Sequence, residues 1–361
     1  MEGKNSAYTK LYNRRRVLSL LQRSPLSRAE LSRQMGLTRA AISLITEELI
    51  AEGLICQSQE TIHAAGPGRA PIALKLCSGA RYAVGVSLSR SGALVGIEDL
   101  CGTVITQKPL TEQTPEGLIC AIRFLIRDLP KDKILGIGIS SPGPVDPQSG
   151  TILNPPGFPH WSNCPIGTLL EKALGLTVYL EKDANAAALY NRRNGDFPEK
   201  DDFLLLYMSG GVGSSIISQG RLLRFCELGH TSICHDGPLC SCGNRGCLEV
   251  YASIGGIIQQ FDCDNWEDLM ASPQAEQALA LQAEYLATAI GNCSNMVPIG
   301  AVLLDGKMQK YSAQLLPLVA QKLAGRCLSG QIPRLLPALS SSHTRLQSAC
   351  SIVFSHYLEE E

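Results

Sequence analysis

Apolar residues Val17, Leu18, Leu20 and Leu21 recur at helical spacing within residues 13–22, beside Arg14, Arg15 and Arg16. This predicts an amphipathic helix that Pro25 ends. Ser27-Arg28-Ala29-Glu30 has the spacing of a capping box, so a second helix starts there and runs to about Met35. Gly36 supplies a turn and Thr38 caps a third helix, which keeps Ile42, Ile45, Leu49 and Ile50 on one side until Gly53. Two short helices joined by a glycine turn are a helix-turn-helix, whose second member fits a major groove. After Gly53, LICQSQ and PIALKL read as two strands around a turn-rich tip, which makes a wing. The candidate DNA contacts are Arg28, Thr38, Arg39, Ala40 and Ser43 on the helices and Arg69 on the wing. A helical bundle used for dimerisation is the plainer reading of the same helices.

From Arg81 onward, strand and helix patterns alternate. YAVGVSLS and GALVGIEDL predict paired strands, with CGTVITQKPL a third. Residues 115–128 predict an amphipathic helix, and ILGIGISS a buried strand that ends in SPGPVD. PIGTLLEKALG is a helix, and TVYLEKDANAAALY a strand that breaks into a helix at Asp183. FLLLYMSGGVGSSIISQGRLL reads as strand, glycine turn, strand; residues 247–261, 275–292 and 313–323 read as helices, and GAVLLDGK as a strand. Two successive blocks of this kind predict an α/β core of two lobes with a cleft between them. The domains expected are residues 1–78, a winged helix-turn-helix, and residues 79–361, the two-lobed body.

Charge sharpens the division. The net charge of -1 is the sum of a head, residues 1–76, at +5 and a remainder at -6. A basic head on an acidic body points to nucleic acid at the N-terminal end only. The 14 cysteines lie mostly singly in apolar segments, and no apolar leader or membrane-length run is present. A reducing, cytoplasmic setting is therefore expected.

The strongest chemical signal is the run from Cys226 to Tyr251. His230, Cys240, Cys242 and Cys247 stand as H-x9-C-x-C-x4-C, with Gly237, Gly243 and Gly246 between them. Four such ligands on a short glycine-rich loop suit a tetrahedral structural zinc ion, Zn2+. Glu227 and Glu249 flank the loop and are candidates either to support the ligands or to accept hydrogen bonds from a polyol. Asp183 at a strand end could deprotonate a hydroxyl or merely cap its helix. Gly210-Gly211-Val212-Gly213 could cradle a phosphate or simply turn a hairpin.

These segments together resemble the ROK (repressor, open reading frame, kinase) family over essentially the whole chain. The run NRRRVLSLLQRSPLSRAELSRQMGLTRAAISLITEELIAEGLI resembles the family's winged helix; ISSPGPVD, EKDANAAAL, ELGH and CSCGNRGCLE resemble its sugar-kinase-like core. The resemblance implies an actin-like ATPase fold and zinc on His230, Cys240, Cys242 and Cys247. It also implies sugar contacts that include Asp183, Glu227, His230 and Glu249. Kinase members carry an Asp-x-Gly-x-Thr phosphate loop, whereas the matching run here is Ser87-Leu88-Ser89-Arg90-Ser91. Without an acid to position Mg-ATP, phosphoryl transfer should fail, leaving Asp183 as a vestigial general-base position. Lys182 replaces an asparagine before Asp183 and Gly157 falls where many members have another, so Lys182 could pair with a sugar phosphate or an acidic ligand. The segment RFCELGH is shorter than the usual lead-in, and LLDG at residues 303–306 keeps only part of a glycine pair.

The expectation is a transcriptional repressor of carbohydrate-utilisation genes, resembling the xylose and N-acetylglucosamine repressor branch. Its partners are double-stranded operator DNA, a sugar or sugar-phosphate effector, and further copies in a homodimer or homotetramer. An active sugar kinase with an appended DNA-binding head is the first rival, and a body that answers to a protein partner the second.

Overall fold

The computed structural model describes residues 6–61, 72–198 and 200–359. The chain divides into two compact units, one formed by residues 1–182 with 343–361 and the other by residues 183–342.

The first unit begins with α1 (Ser6–Arg23), β1 (Leu26–Ser27), α2 (Arg28–Met35), α3 (Arg39–Ala51), β2 (Ile55–Thr61) and β3 (Ile72–Leu76). The expected caps form. Glu30 N–H donates to Ser27 Oγ (3.2 Å) and Ser27 N–H to Glu30 Oε2 (2.8 Å), which completes the box. Gly36 takes the left-handed conformation at φ 68°, and Ala41 N–H donates to Thr38 Oγ1 at 3.2 Å. The strands form a three-stranded sheet in the order β1-β3-β2, so Leu26 and Ser27 add a strand to the two expected in the wing. Two features differ from the sequence expectation: α1 starts at Ser6 rather than Asn13, and Arg69 lies outside the described residues. Lys10, in the added turns, pairs with Glu48 at 2.7 Å, and Arg14 pairs with the same carboxylate at 3.1 Å, which ties α1 to α3.

The same unit continues with β4 (Tyr82–Ser89), β5 (Gly92–Asp99), β6 (Val104–Pro109), α4 (Pro115–Ile126), β7 (Ile134–Ser141), β8 (Val145–Asp146), β9 (Thr151–Ile152), α5 (Ile166–Leu174) and β10 (Val178–Lys182). Its main sheet runs β10-β7-β4-β5-β6, with β10, β7 and β4 parallel and β5 and β6 antiparallel. Leu118 and Ile122 of α4 and Ile166 and Leu170 of α5 pack with Val84, Val86, Ile137 and Ile139 of the strands.

In the second unit, α6 (Asp183–Asn194) is followed by β11 (Phe203–Met208), β12 (Val212–Ser218) and β13 (Arg221–Leu223). Then come α7 (Leu248–Ala252), α8 (Ile254–Gln260), α9 (Trp266–Ala271), α10 (Ala275–Ser294), β14 (Ala301–Gly306), α11 (Ser312–Leu323) and β15 (Arg334–Pro337). Its sheet, β13-β12-β11-β14-β15, repeats the plan of the first: an antiparallel meander on one side of the first strand and parallel crossovers on the other. The single helix expected over residues 247–261 is two. Ser253 is extended (ψ 160°) and its side chain accepts from Gly256 N–H, so it stops α7 and caps α8.

The C-terminal helix α12 (Thr344–Glu359) returns to the first unit. Gly85 lies opposite both Gly96 and Gly138 in register, so three glycines stand side by side across β5, β4 and β7. A Cβ at Gly138 would lie 2.1 Å from Ala349 O, and one at Gly85 2.7 Å from Cys350 Sγ. The row is a trough that admits α12 to close range. α12 also meets the head: Leu346, Cys350, Val353, Phe354 and Leu358 share one buried cluster with Val17, Leu18 and Leu21 of α1 and with Leu31, Ile42 and Leu49.

Candidate metal centre and nucleic-acid interface

The metal-loop residues converge as their spacing predicts. The ligand atoms of His230, Cys240, Cys242 and Cys247 all lie within 4.8 Å of one another. Cys240 Sγ is 3.7 Å from His230 Nδ1, and Cys242 Sγ is 3.7 Å from Cys247 Sγ. A tetrahedron with metal–sulfur bonds of about 2.3 Å has sulfur–sulfur edges of about 3.8 Å, so these spacings fit a divalent zinc-sized ion. Tight backbone turns bring the ligands round: Cys240 N–H donates to Asn244 O (2.8 Å) and Gly246 N–H to Pro238 O (2.9 Å). Gly246 has φ 65°, and a Cβ there would sit 1.6 Å from Cys234 O, so no other residue fits. Burial and the neighbouring thiols push Cys247 up to about 12. A cation is what would let the three thiols ionise together beside a neutral His230.

Next to this loop, the β11–β12 tip meets two of the candidate groups. Ser209 N–H donates to Gly211 O, and Glu249 Oε2 accepts Val212 N–H at 2.9 Å. The glycine run turns a hairpin, and Glu249 takes the amide of the buried Val212 that follows the turn. The carbonyl of the same Val212 would lie 2.0 Å from a Cβ at Gly229, so ELGH passes close beneath it. A Cβ at Gly213 would be 3.5 Å from Ala184 Cβ, which places the start of α6 against the same hairpin. Asp183, the first residue of α6, accepts Ala184 N–H at 2.8 Å. The hairpin therefore collects Glu249, the Glu227–His230 segment and the Asp183 end of α6. Glu227 is exposed, while Asp183, His230 and Glu249 are half-buried. Lys182, the last residue of β10, is buried and lies in register with Ser141 of β7.

The helix-turn-helix presents α3. Thr38, Arg39 and Ala40 are exposed and Ser43 is half-buried. Arg28 is partly committed inside the head, since its Nε donates to Thr46 Oγ1 at 2.9 Å and pins α2 to α3. Leu44, 61% exposed on the outer side of α3, was not singled out from sequence. It sits four residues after Ala40, and an apolar side chain there suits a thymine methyl.

Arg345 was missed as well. From the first turn of α12 it donates to Ser89 Oγ (3.0 Å), Gly92 O (3.1 Å) and Ser87 Oγ (3.4 Å), so a guanidinium occupies the β4–β5 hairpin. Nothing local marks this residue in the sequence; the pairing spans more than 250 positions.

Comparison with known proteins agrees with the geometry. A family model described as ROK family matches residues 84–352. The xylose repressor of Bacillus subtilis (strain 168) is 26% identical over 384 residues, covering 99% of each chain. The glucokinase of Thermotoga maritima is 34% identical over 183 residues, covering 48% of this chain and 58% of its own. A solved structure described as a ROK family transcriptional regulator superposes with a TM-score of 0.77 at 25% identity, covering 97% of both chains. The repressor and the regulator thus match the chain along nearly its whole length, head included, whereas the kinase matches about half of it.

Proposed function

The chain belongs to the ROK family, and from that premise we propose that it is a DNA-binding transcriptional repressor of sugar-utilisation genes, governed by a sugar or sugar derivative. The observation that carries this reading is a capped helix-turn-helix with an exposed Arg39-Ala40 face, in a chain that matches a named repressor end to end. Arg39, Ala40 and Ser43 would face base edges, and Thr38 and Arg28 would steady the helix ends near phosphates, with Arg69 reaching DNA from the wing tip. A homodimer or homotetramer would present two such heads to a two-fold operator.

The ion held by His230, Cys240, Cys242 and Cys247 would be structural zinc, since all four positions are filled by protein and none is left open. Asp183, Glu227 and Glu249 would accept hydrogen bonds from sugar hydroxyls, with the ring of His230 turned to the metal through Nδ1 and to the sugar through Nε2. The buried Lys182 immediately before Asp183 favours an effector with a negative charge, a sugar phosphate or sugar acid.

Loss of phosphoryl transfer is supported by the Ser87–Ser91 run. It offers no acid for Mg-ATP, and its hydroxyls instead receive Arg345. The rival reading, an active hexokinase, is testable by ATP turnover over a hexose panel; brisk turnover would remove the sensor reading.

The experiment that tests the main reading is selection of genomic fragments on the purified protein, repeated with plain and phosphorylated sugars. Enriched fragments lying upstream of sugar-utilisation genes, with retention changed by one sugar class, are the expected result. For such a fragment, Arg39→Ala should weaken binding by about 1–3 kcal/mol. No enrichment at low salt, where phosphate contacts are strongest, would overturn the proposal.

A further inference from the structure

An open pocket of about 420 Å³ lies far in sequence from the metal loop, at the joint between the winged helix and the first large sheet. Leu21 and Gln22 of α1, Cys56 of β2, Lys75 and Cys77 at the end of β3, and Cys101 in the β5–β6 turn line it. Asp99, fully buried, builds the joint. Its Oδ1 accepts Cys101 N–H (3.0 Å) and Thr103 N–H (2.9 Å), and its Oδ2 accepts Ser78 Oγ–H (2.8 Å) and Gly79 N–H (3.2 Å). Gln22 Nε2 donates to Leu100 O at 3.2 Å from the other side. The loop after Cys77 and the turn that carries Cys101 are therefore held to one carboxylate.

The wing ladder sets two of the thiols together. Cys56 lies opposite Lys75, and Cys77 N–H donates to Leu54 O at 2.9 Å. Side chains alternate along a strand, so Cys56 and Cys77 share a face one diagonal step apart. Both are half-buried and Cys101 is exposed, so a small solute can reach them, unlike the buried Cys226, Cys293, Cys327 and Cys350. The three sulfurs do not form a metal cage: among the described residues the cluster that meets that spacing is the one at His230.

We propose that this pocket is a thiol–disulfide exchange site for small soluble disulfides, and that the exchange ends in a Cys56–Cys77 bond across the base of the wing. The Cys56 thiolate attacks one sulfur of RSSR, forming Cys56–S–SR and releasing RS–, which is protonated to RSH. Cys77 then loses its proton to solvent and attacks the Cys56 sulfur, expelling the second RS–, which also leaves as RSH. The two protein thiols give up two electrons, and the small disulfide accepts them. Burial and the neighbouring Cys56 push the Cys77 thiol up to about 11, which makes Cys77 the later partner. A diagonal pair has Cα atoms about 7–8 Å apart, while a disulfide holds them at about 5.5–6 Å. Closing that gap draws the start of β2 against the end of β3, where Ile55 and Cys56 stand opposite Leu76 and Lys75. The wing is thereby altered directly.

The test uses the full, zinc-loaded chain, incubated with oxidised glutathione, quenched by alkylation, digested and mapped, with metal content followed alongside. The expected product joins the Cys56 and Cys77 peptides, is undone by dithiothreitol, and forms without loss of metal. In Cys77→Ser, Cys56 should retain glutathione as a mixed disulfide; in Cys56→Ser the linked peptide should vanish. Recovery of Cys56 and Cys77 as free alkylated thiols, or of Cys77 joined to Cys101, would overturn the proposal, as would an unmodified Cys56 in Cys77→Ser.

Discussion

Single residues decide whether the metal loop can exist. His230, Cys240, Cys242 and Cys247 close to ligand distances because Gly246 leaves room for the Cys234 carbonyl. We expect the purified chain to hold one zinc ion per protomer, and Cys242→Ser to lose it by more than the ~10–100-fold that an outer-sphere change costs. Elemental analysis and thermal melting check this: the variant should melt lower, and wild type treated with a chelator should move to the same place. Another prediction concerns Asp305 at the end of β14, whose carboxyl burial pushes up, partly offset by the Gly306 N–H it accepts. A raised carboxyl favours the protonated form in the fold. Its contribution is thus fully present below the ordinary value of about 4 and is lost as pH rises. Asp305→Asn should therefore be more stable than wild type at neutral pH and equal to it at about pH 4, as read from urea unfolding at the two pH values. A difference independent of pH would refute this origin.

At the scale of elements, the helices that keep an apolar stripe were legible: α2 and α3 begin at the caps Ser27 and Thr38, and α4 begins at Pro115, where the structure adds Thr114 as its cap. Elements whose partners lie far along the chain were not. α9, β15 and α12 went unpredicted, and residues 247–261 read as one helix because apolar spacing continues through the Ser253 cap. A signal for α12 was present in Gly85, Gly96 and Gly138, yet a glycine in a strand says only that something comes near. It took the register to show that the three align under one helix. Gly138→Ala should press a methyl against Ala349 O and cost about 1–3 kcal/mol, more than an alanine at an open glycine such as Gly255. Denaturant melts of the two variants compare them, and equal costs would mean that the trough does not bear on stability.

For the whole molecule, the two ends of the chain are interlocked. Phe354, Val353 and Leu358 of α12 share a buried cluster with Val17, Leu18 and Leu21 of α1, so the DNA-reading head has no independent core on that side. Removal of residues 344–361 would uncover this apolar face and the glycine trough at once. The truncated chain should aggregate or bind a hydrophobic dye strongly, and its head should be cleaved by protease at least tenfold faster, while the buried Leu204, Leu206 and Leu286 of the second unit keep their protection in hydrogen exchange. A truncated chain that stays soluble, takes up no dye and resists protease would refute the shared core.

The sequence by itself determined what depends on near neighbours. Caps, turn glycines, apolar periodicity and the spacing of four ligands all act within about twenty residues, so the winged helix, the alternating core and the metal loop could be read from it. Tertiary structure alone decided which distant groups meet: Arg345 in the Ser87–Ser91 hairpin, Asp99 at the joint of head and sheet, Glu249 on Val212, and α12 along three glycines. These contacts carry no local pattern, because each is fixed by sheet register and helix packing, and those are set only when the whole chain has folded.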